Sequence, residues 1–105
     1  MSNRSCLVLK RPGKEEYVCV YLHDADSRTM SELKEFYQTH EDVVQLMQKG
    51  DRSYVEPGGS YHELRGESVK RHYARSWSEV LDIASRMDAN QIFLFHRTRW
   101  TMQRA

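Results

Sequence analysis

Two short apolar runs, Ser5-Cys6-Leu7-Val8-Leu9-Lys10 and Tyr17 to Leu22, flank Arg11-Pro12-Gly13-Lys14. No other feature limits the fold as much. Proline presets φ and glycine accepts a positive φ, so the four intervening residues make a turn. The second run is rich in β-branched and aromatic residues and reads as the returning strand. Alternation places Leu7, Leu9, Val18, Val20 and Leu22 on one face, with Cys6, Val8, Tyr17, Cys19 and Tyr21 on the other. The first set is purely aliphatic and is the expected core face.

The chain is then expected to leave the sheet at His23-Asp24-Ala25-Asp26. Thr29 and Glu32 have the spacing of a capping box, and Met30, Leu33, Phe36 and Tyr37 follow at helical period. Thr39 offers a second cap, with Glu41 and Asp42 in the first turn where acids suit the helix dipole. Val43, Val44, Leu46 and Met47 form its apolar stripe, and Gly50 suits the C′ position. One bent helix and two short ones both fit this pattern. Asp51 to Gly66 is irregular, with a turn or loop at Pro57-Gly58-Gly59 that Tyr54-Val55 and Tyr61 could flank as a hairpin.

Glu67 to Arg75 alternates weakly and reads as a strand. Ser76 and Glu79 form another capping box, followed by the clearest amphipathic helix, with Trp77, Val80, Leu81, Ala84 and Met87 on its stripe. Ile92 to Phe95 is a continuous apolar run and therefore an interior strand. Trp100-Thr101-Met102 pairs back on it, with Trp100 in the core, and the last residues are expected to fray. Early hairpin and late strand–helix–strand together predict a single α+β domain over residues 1–105. The sheet is mainly antiparallel, with two to three helices packed on one face.

At 105 residues one core is the expectation, since a domain this size buries roughly 60–70% of its unfolded surface. Aromatic residues make up 10% of the chain, more than a disordered segment carries. No apolar stretch approaches the roughly 18 residues of a membrane span, and Met1 to Ser5 lacks a secretion signal. A cytoplasmic protein without a membrane partner is expected. Cys6 and Cys19 lack metal-knuckle spacing. They read as half-buried strand thiols, and a cross-strand disulfide is geometrically possible if their two strands pair through a four-residue connection. The net charge of +1 hides an asymmetry. Residues 1–64 carry 8 Lys+Arg against 11 Asp+Glu, and residues 65–105 carry 8 against 4. Such polarity can steer a charged partner.

No phosphate loop and no nucleophile elbow occurs, and no cofactor is implied. This weighs against an enzyme. The expected partner-binding surface is the stretch containing His62, Glu63, Arg65, Glu67, Lys70, Arg71, Tyr73 and Arg75. The acidic region from Glu32 to Asp51 is a second. Basic residues interleaved with Tyr73 also suit nucleic acid, with phosphates on the cations and a base on the ring. A third alternative, a small metal-dependent enzyme, would need His23, Asp24, His62, Glu63 and Glu67 to converge. Arg97, Arg99, Trp100 and Arg104 form a second basic end of hot-spot composition. An exposed edge strand would allow a homodimer.

Several segments, taken in order over residues 17–102, resemble a family of small uncharacterised proteins carried by bacteriophages and mobile elements. That family has a strand ending in Tyr-Cys-His-Trp-Asp-Gly, matched here by Val20-Tyr21-Leu22-His23-Asp24. Glu35-Phe36-Tyr37 and Gly50-Asp51-Arg52-Ser53 match its helix tyrosine and its Gly-Asp-x-Ser. Leu64-Arg65-Gly66-Glu67 matches its Arg-Gly-Glu box, and Ile92-Phe93-Leu94-Phe95 with Trp100 matches its last strand. The chain departs from the family at Glu63 and Leu64, and it lacks the Trp and Gly after the histidine. The resemblance implies an accessory protein of a mobile element, with a host protein or protein complex as partner. Such a protein binds and disables, or redirects, a host machine such as a defence nuclease or a CRISPR complex.

Overall fold

The computed structural model describes residues 3–25, 27–48 and 71–105. Its elements run β1 (Asn3–Lys10), β2 (Tyr17–Ala25), α1 (Thr29–Phe36), α2 (His40–Gln48), β3 (His72–Ala74), α3 (Trp77–Arg86), β4 (Gln91–His96) and β5 (Arg99–Arg104). The five strands form one sheet in the order β3-β2-β1-β4-β5. All pairs are antiparallel except β1 with β4. The fold class is α+β, as expected. The hairpin expected around Pro57-Gly58-Gly59 and the Gly50 cap lie outside the described residues.

The first hairpin pairs Leu7 with Val20 and Leu9 with Val18. Gly13 takes the positive φ of +72° that its turn requires. The Arg11 N–H donates to the Glu16 carbonyl at 2.9 Å and closes the connection. The second strand does not leave the sheet at His23 but continues to Ala25. One extra residue is accommodated where the register shifts from Ser5↔Leu22 to Asn3↔Ala25. A bulge of this kind restores alternation after an insertion, so Leu22 and Ala25, three apart, both join the same core.

Both sheet faces are buried. Leu7, Leu9, Val18, Val20 and Leu22 meet Leu33 and Tyr37 of the α1 segment and Val43, Leu46 and Met47 of α2. On the opposite face Cys6, Val8, Tyr17, Cys19 and Ile92 meet Val80, Ile83 and Ala84 of α3. Two helices thus share one face, and the third covers the other. That is why the cysteines, expected to be half-buried, are completely enclosed. Ile83 takes the core position expected for Leu81, which is exposed. Val80, Ile83, Ala84 and Met87 are the true i, i+3, i+4, i+7 stripe.

α1 and α2 are separate helices, divided at Tyr37 to Thr39. Thr39 caps α2, its Oγ1 accepting from the Asp42 N–H at 3.1 Å. Ser76 caps α3, accepting from the Glu79 N–H at 3.2 Å, while Glu79 reaches back to the Arg75 N–H at 2.6 Å. The box expected at Thr29 does not form. Arg28 occupies the cap position with no side-chain cap, and Thr29 is the first helical residue, its side chain buried in the domain. β4 lies inside the sheet between β1 and β5, as its apolar run required. The chain end is paired rather than frayed, since the Ala105 N–H donates to the Asn90 carbonyl at 3.2 Å.

Candidate functional site

Of the expected binding residues, Arg71, Tyr73 and Arg75 lie among those described. His62, Glu63, Arg65, Glu67 and Lys70 lie outside them, as does Asp26. β3 is the edge strand beside β2, and its register puts Tyr73 opposite Val18. Tyr73 therefore stands on the face that carries α1 and α2, with 64% of its surface exposed.

Beneath it is a cleft of about 420 Å³, between the tip of the first hairpin, α2 and β3. Leu9, Val18 and Met47 are its buried floor, with Val44 beside them. Arg11, Lys14, His40, Gln48 and Arg71 line it with exposed side chains. No described carboxylate lines it. Arg11 is engaged by Glu16 at 3.2 Å, whereas Lys14 and Arg71 have no ion-pair partner among the described residues. An apolar floor with a few polar groups at the rim is the usual make-up of a binding pocket. Every described charged group of the rim is basic.

Arg75 does not join this cleft. Its backbone N–H is taken by Glu79 at the start of α3. The described acidic residues of the second expected surface also stand apart from it. Glu41 and Asp42 sit in the first turn of α2, outside the lining. Arg11, Lys14, His40 and Gln48 were not legible as site residues. They come together only because α2 crosses the hairpin tip, and nothing local in the sequence reports that crossing.

Of the candidate metal residues His23, Asp24, His62, Glu63 and Glu67, only His23 has a described side chain. His23 is exposed at the end of β2, with its Nδ1 2.9 Å from the Tyr21 hydroxyl. No group of three or more His, Cys, Asp or Glu is placed to hold a metal ion among the described residues. Cys6 and Cys19 are not joined in a disulfide. The register pairs Cys6 with Tyr21 and Val8 with Cys19, so the two are diagonal neighbours. Diagonal positions lie roughly 7–8 Å apart, beyond the usual span of a disulfide. Burial pushes the Cys19 thiol up to about 12, with Cys6 adding to it. No described helix is long and apolar enough to cross a membrane.

No protein-family model, curated protein or solved structure matches the chain.

Proposed function

We propose that this chain is a non-catalytic accessory protein of the kind phages and mobile elements carry. It binds a host protein complex in the cytoplasm and inhibits or redirects it, as an anti-CRISPR protein or a nuclease inhibitor does. The supporting observation is the cleft below Tyr73. Its apolar floor can desolvate a partner's side chain while Lys14 and Arg71 meet partner carboxylates at the rim. An exposed tyrosine beside an arginine is the composition of an interface hot spot. Charged rim groups act chiefly on the rate of encounter.

The test is affinity capture of the tagged protein from host lysate, with and without nuclease, followed by binding of the recovered partner to purified variants. One dominant protein, retained after nuclease and weakened by Lys14→Glu with Arg71→Glu, is the expected result. A partner bound equally by the double variant removes the cleft from the reading.

The exposure of Tyr73 beside Arg71 favours a second reading, in which single-stranded nucleic acid stacks a base on the ring. That reading predicts affinity falling steeply with salt. Recovery of nucleic acid, or of proteins held only through it, would select it over the first.

A further inference from the structure

The far edge of the sheet is a separate surface. β5 is the last strand in the order and has no described neighbour beyond it. It runs for six residues, and all but Trp100 are exposed. His96 and Arg99 flank a two-residue turn and are partners in the β4–β5 ladder. Such a flanking pair exchanges both hydrogen bonds. Alternation then directs the backbone groups of Thr101 and Gln103 to β4 as well. The Ala105 N–H donating to the Asn90 carbonyl continues the same phase. The N–H and C=O groups of Trp100, Met102 and Arg104 therefore face away from the sheet.

Unpaired edges of this length are usually protected by charged side chains, a bulge, a proline or a covering element. Among the described residues β5 has only the first, and its charge is of one sign. Arg97, Arg99 and Arg104 lie in or beside the strand, and no carboxylate lies between Arg97 and Ala105. A second copy of β5 would bring three more arginines to one short ladder, so self-pairing is opposed. An extended segment bearing Asp or Glu is favoured, because its backbone completes the ladder while its carboxylates lie across from Arg99 and Arg104. Met102, 52% exposed, lies on the same face as Arg104 and offers an apolar contact there.

We infer that β5 is a docking edge for an acidic, extended peptide segment of a partner protein, taken up by strand addition. This surface is on the opposite edge of the sheet from the Tyr73 cleft, so the two stand or fall separately.

The probe is a capped synthetic peptide of sequence Glu-Thr-Val-Thr-Val-Glu, whose glutamates have the spacing of Arg99 and Arg104, added to isotope-labelled protein while amide hydrogen exchange is followed. The Trp100, Met102 and Arg104 amides are expected to slow at least about tenfold at saturation, corresponding to about 1.4 kcal/mol of protection. The inward amides of Thr101 and Gln103 should hardly change. Met102→Pro removes one outward N–H and no bond to β4, so it should abolish the protection while the circular dichroism spectrum stays native. Arg99→Glu with Arg104→Glu should do the same without touching the backbone. No slowing at millimolar peptide would overturn the inference. So would equal slowing by the same peptide with lysine in place of glutamate. Protection that grows with protein concentration in the absence of peptide would show a second copy as the occupant, and would overturn it too.

Discussion

The indole Nε1–H of Trp100 donates to the backbone carbonyl of Tyr37 at 2.9 Å in the buried core. The two residues are 63 positions apart in sequence. Tyr37 is the C-terminal cap of α1, and its own N–H closes the last turn onto the Leu33 carbonyl at 3.0 Å. The edge strand β5 is thus tied to the end of the first helix. Phe95, on the neighbouring strand, packs against the same indole with ring centroids 5.2 Å apart. A tryptophan here fills volume and also satisfies a carbonyl that the helix cannot.

Trp100→Phe keeps an aromatic ring but removes the donor. It takes the indole's hydrogen bond from the buried Tyr37 carbonyl, and a buried acceptor that loses its donor costs about 1–3 kcal/mol. Trp100→Ala adds a cavity and should cost about 3–5 kcal/mol. Urea unfolding of the two variants should show both losses in that order. A phenylalanine variant as stable as the parent would mean the carbonyl finds another partner.

The β4–β5 turn carries a built-in strain. Arg97 and Thr98 both have positive φ, 53° and 67°. A two-residue turn with both central residues left-handed is the one that matches strand twist, and it favours Asn-Gly. The left-handed conformation costs an ordinary residue about 1–2 kcal/mol, and a β-branched one is a genuine outlier there. Arg97→Asn with Thr98→Gly should therefore stabilise the fold by about 1 kcal/mol or more. For a domain near this size that raises Tm by roughly 4–8 °C per kcal/mol. Scanning calorimetry reads it directly, and a lower Tm would show that the present side chains hold the turn by contacts.

The same physics explains what could be read from the sequence. The first hairpin was legible because its aliphatic alternation and Pro12-Gly13 agree on register. Thr39 and Ser76 were legible as caps because capping is local. Thr29 was not, because its hydroxyl-bearing side chain is drawn into the core and the helix starts one residue earlier. The second buried face was missed because alternation names a core face without saying what covers the other. Only the packing of α3 over Cys6, Val8 and Cys19 decides that. Tyr73 and Arg71, singled out as candidates by composition, both line the cleft. Lys14, Met47 and Val44 were not singled out, since their convergence depends on where α2 crosses the hairpin.

The end of α3 offers a second stabilising change. The Ala89 N–H donates to the Ala84 carbonyl at 2.9 Å and the Asp88 N–H to the Ser85 carbonyl at 3.1 Å. These are the paired bonds of a Schellman cap, with Asp88 at the left-handed position, φ 58°. Glycine is preferred there, and a carboxylate also opposes the helix dipole. Asp88→Gly forfeits the exposed ion pair with Arg4 at 3.3 Å, worth at most about 1 kcal/mol. The backbone gain of about 1–2 kcal/mol exceeds it. A small rise in the urea midpoint is expected, and it should be larger in high salt, where the ion pair is already screened. A fall in the midpoint would assign more to the ion pair than exposure allows.

Cys19 gives the fold an alkaline limit. Its thiol is enclosed on the α3 face, and burial raises its pKa from 9.0 to about 12, with Cys6 as the second cause. Tyr17 shifts upward as well, first through burial and then through its hydrogen bond and charge interaction with Glu15. Each group is neutral in the folded chain at a pH where the unfolded chain ionises it. A raised folded pKa contributes its full stability below the unfolded value and loses it as pH climbs toward the folded value. Stability should therefore be flat below about pH 9 on this account and fall between about pH 9 and 12. The same enclosure keeps the thiolate, which is the reactive form, out of reach in the native state. An aromatic disulfide reagent at pH 8 should label neither Cys6 nor Cys19 until the protein opens, at a rate that follows unfolding. Cys19→Ala should weaken the pH dependence above pH 9, whereas Cys19→Ser keeps a hydroxyl that does not ionise there and should weaken it equally. An unchanged alkaline slope in both variants would place the limit elsewhere, and rapid labelling of the native chain would show that the α3 face opens without global unfolding.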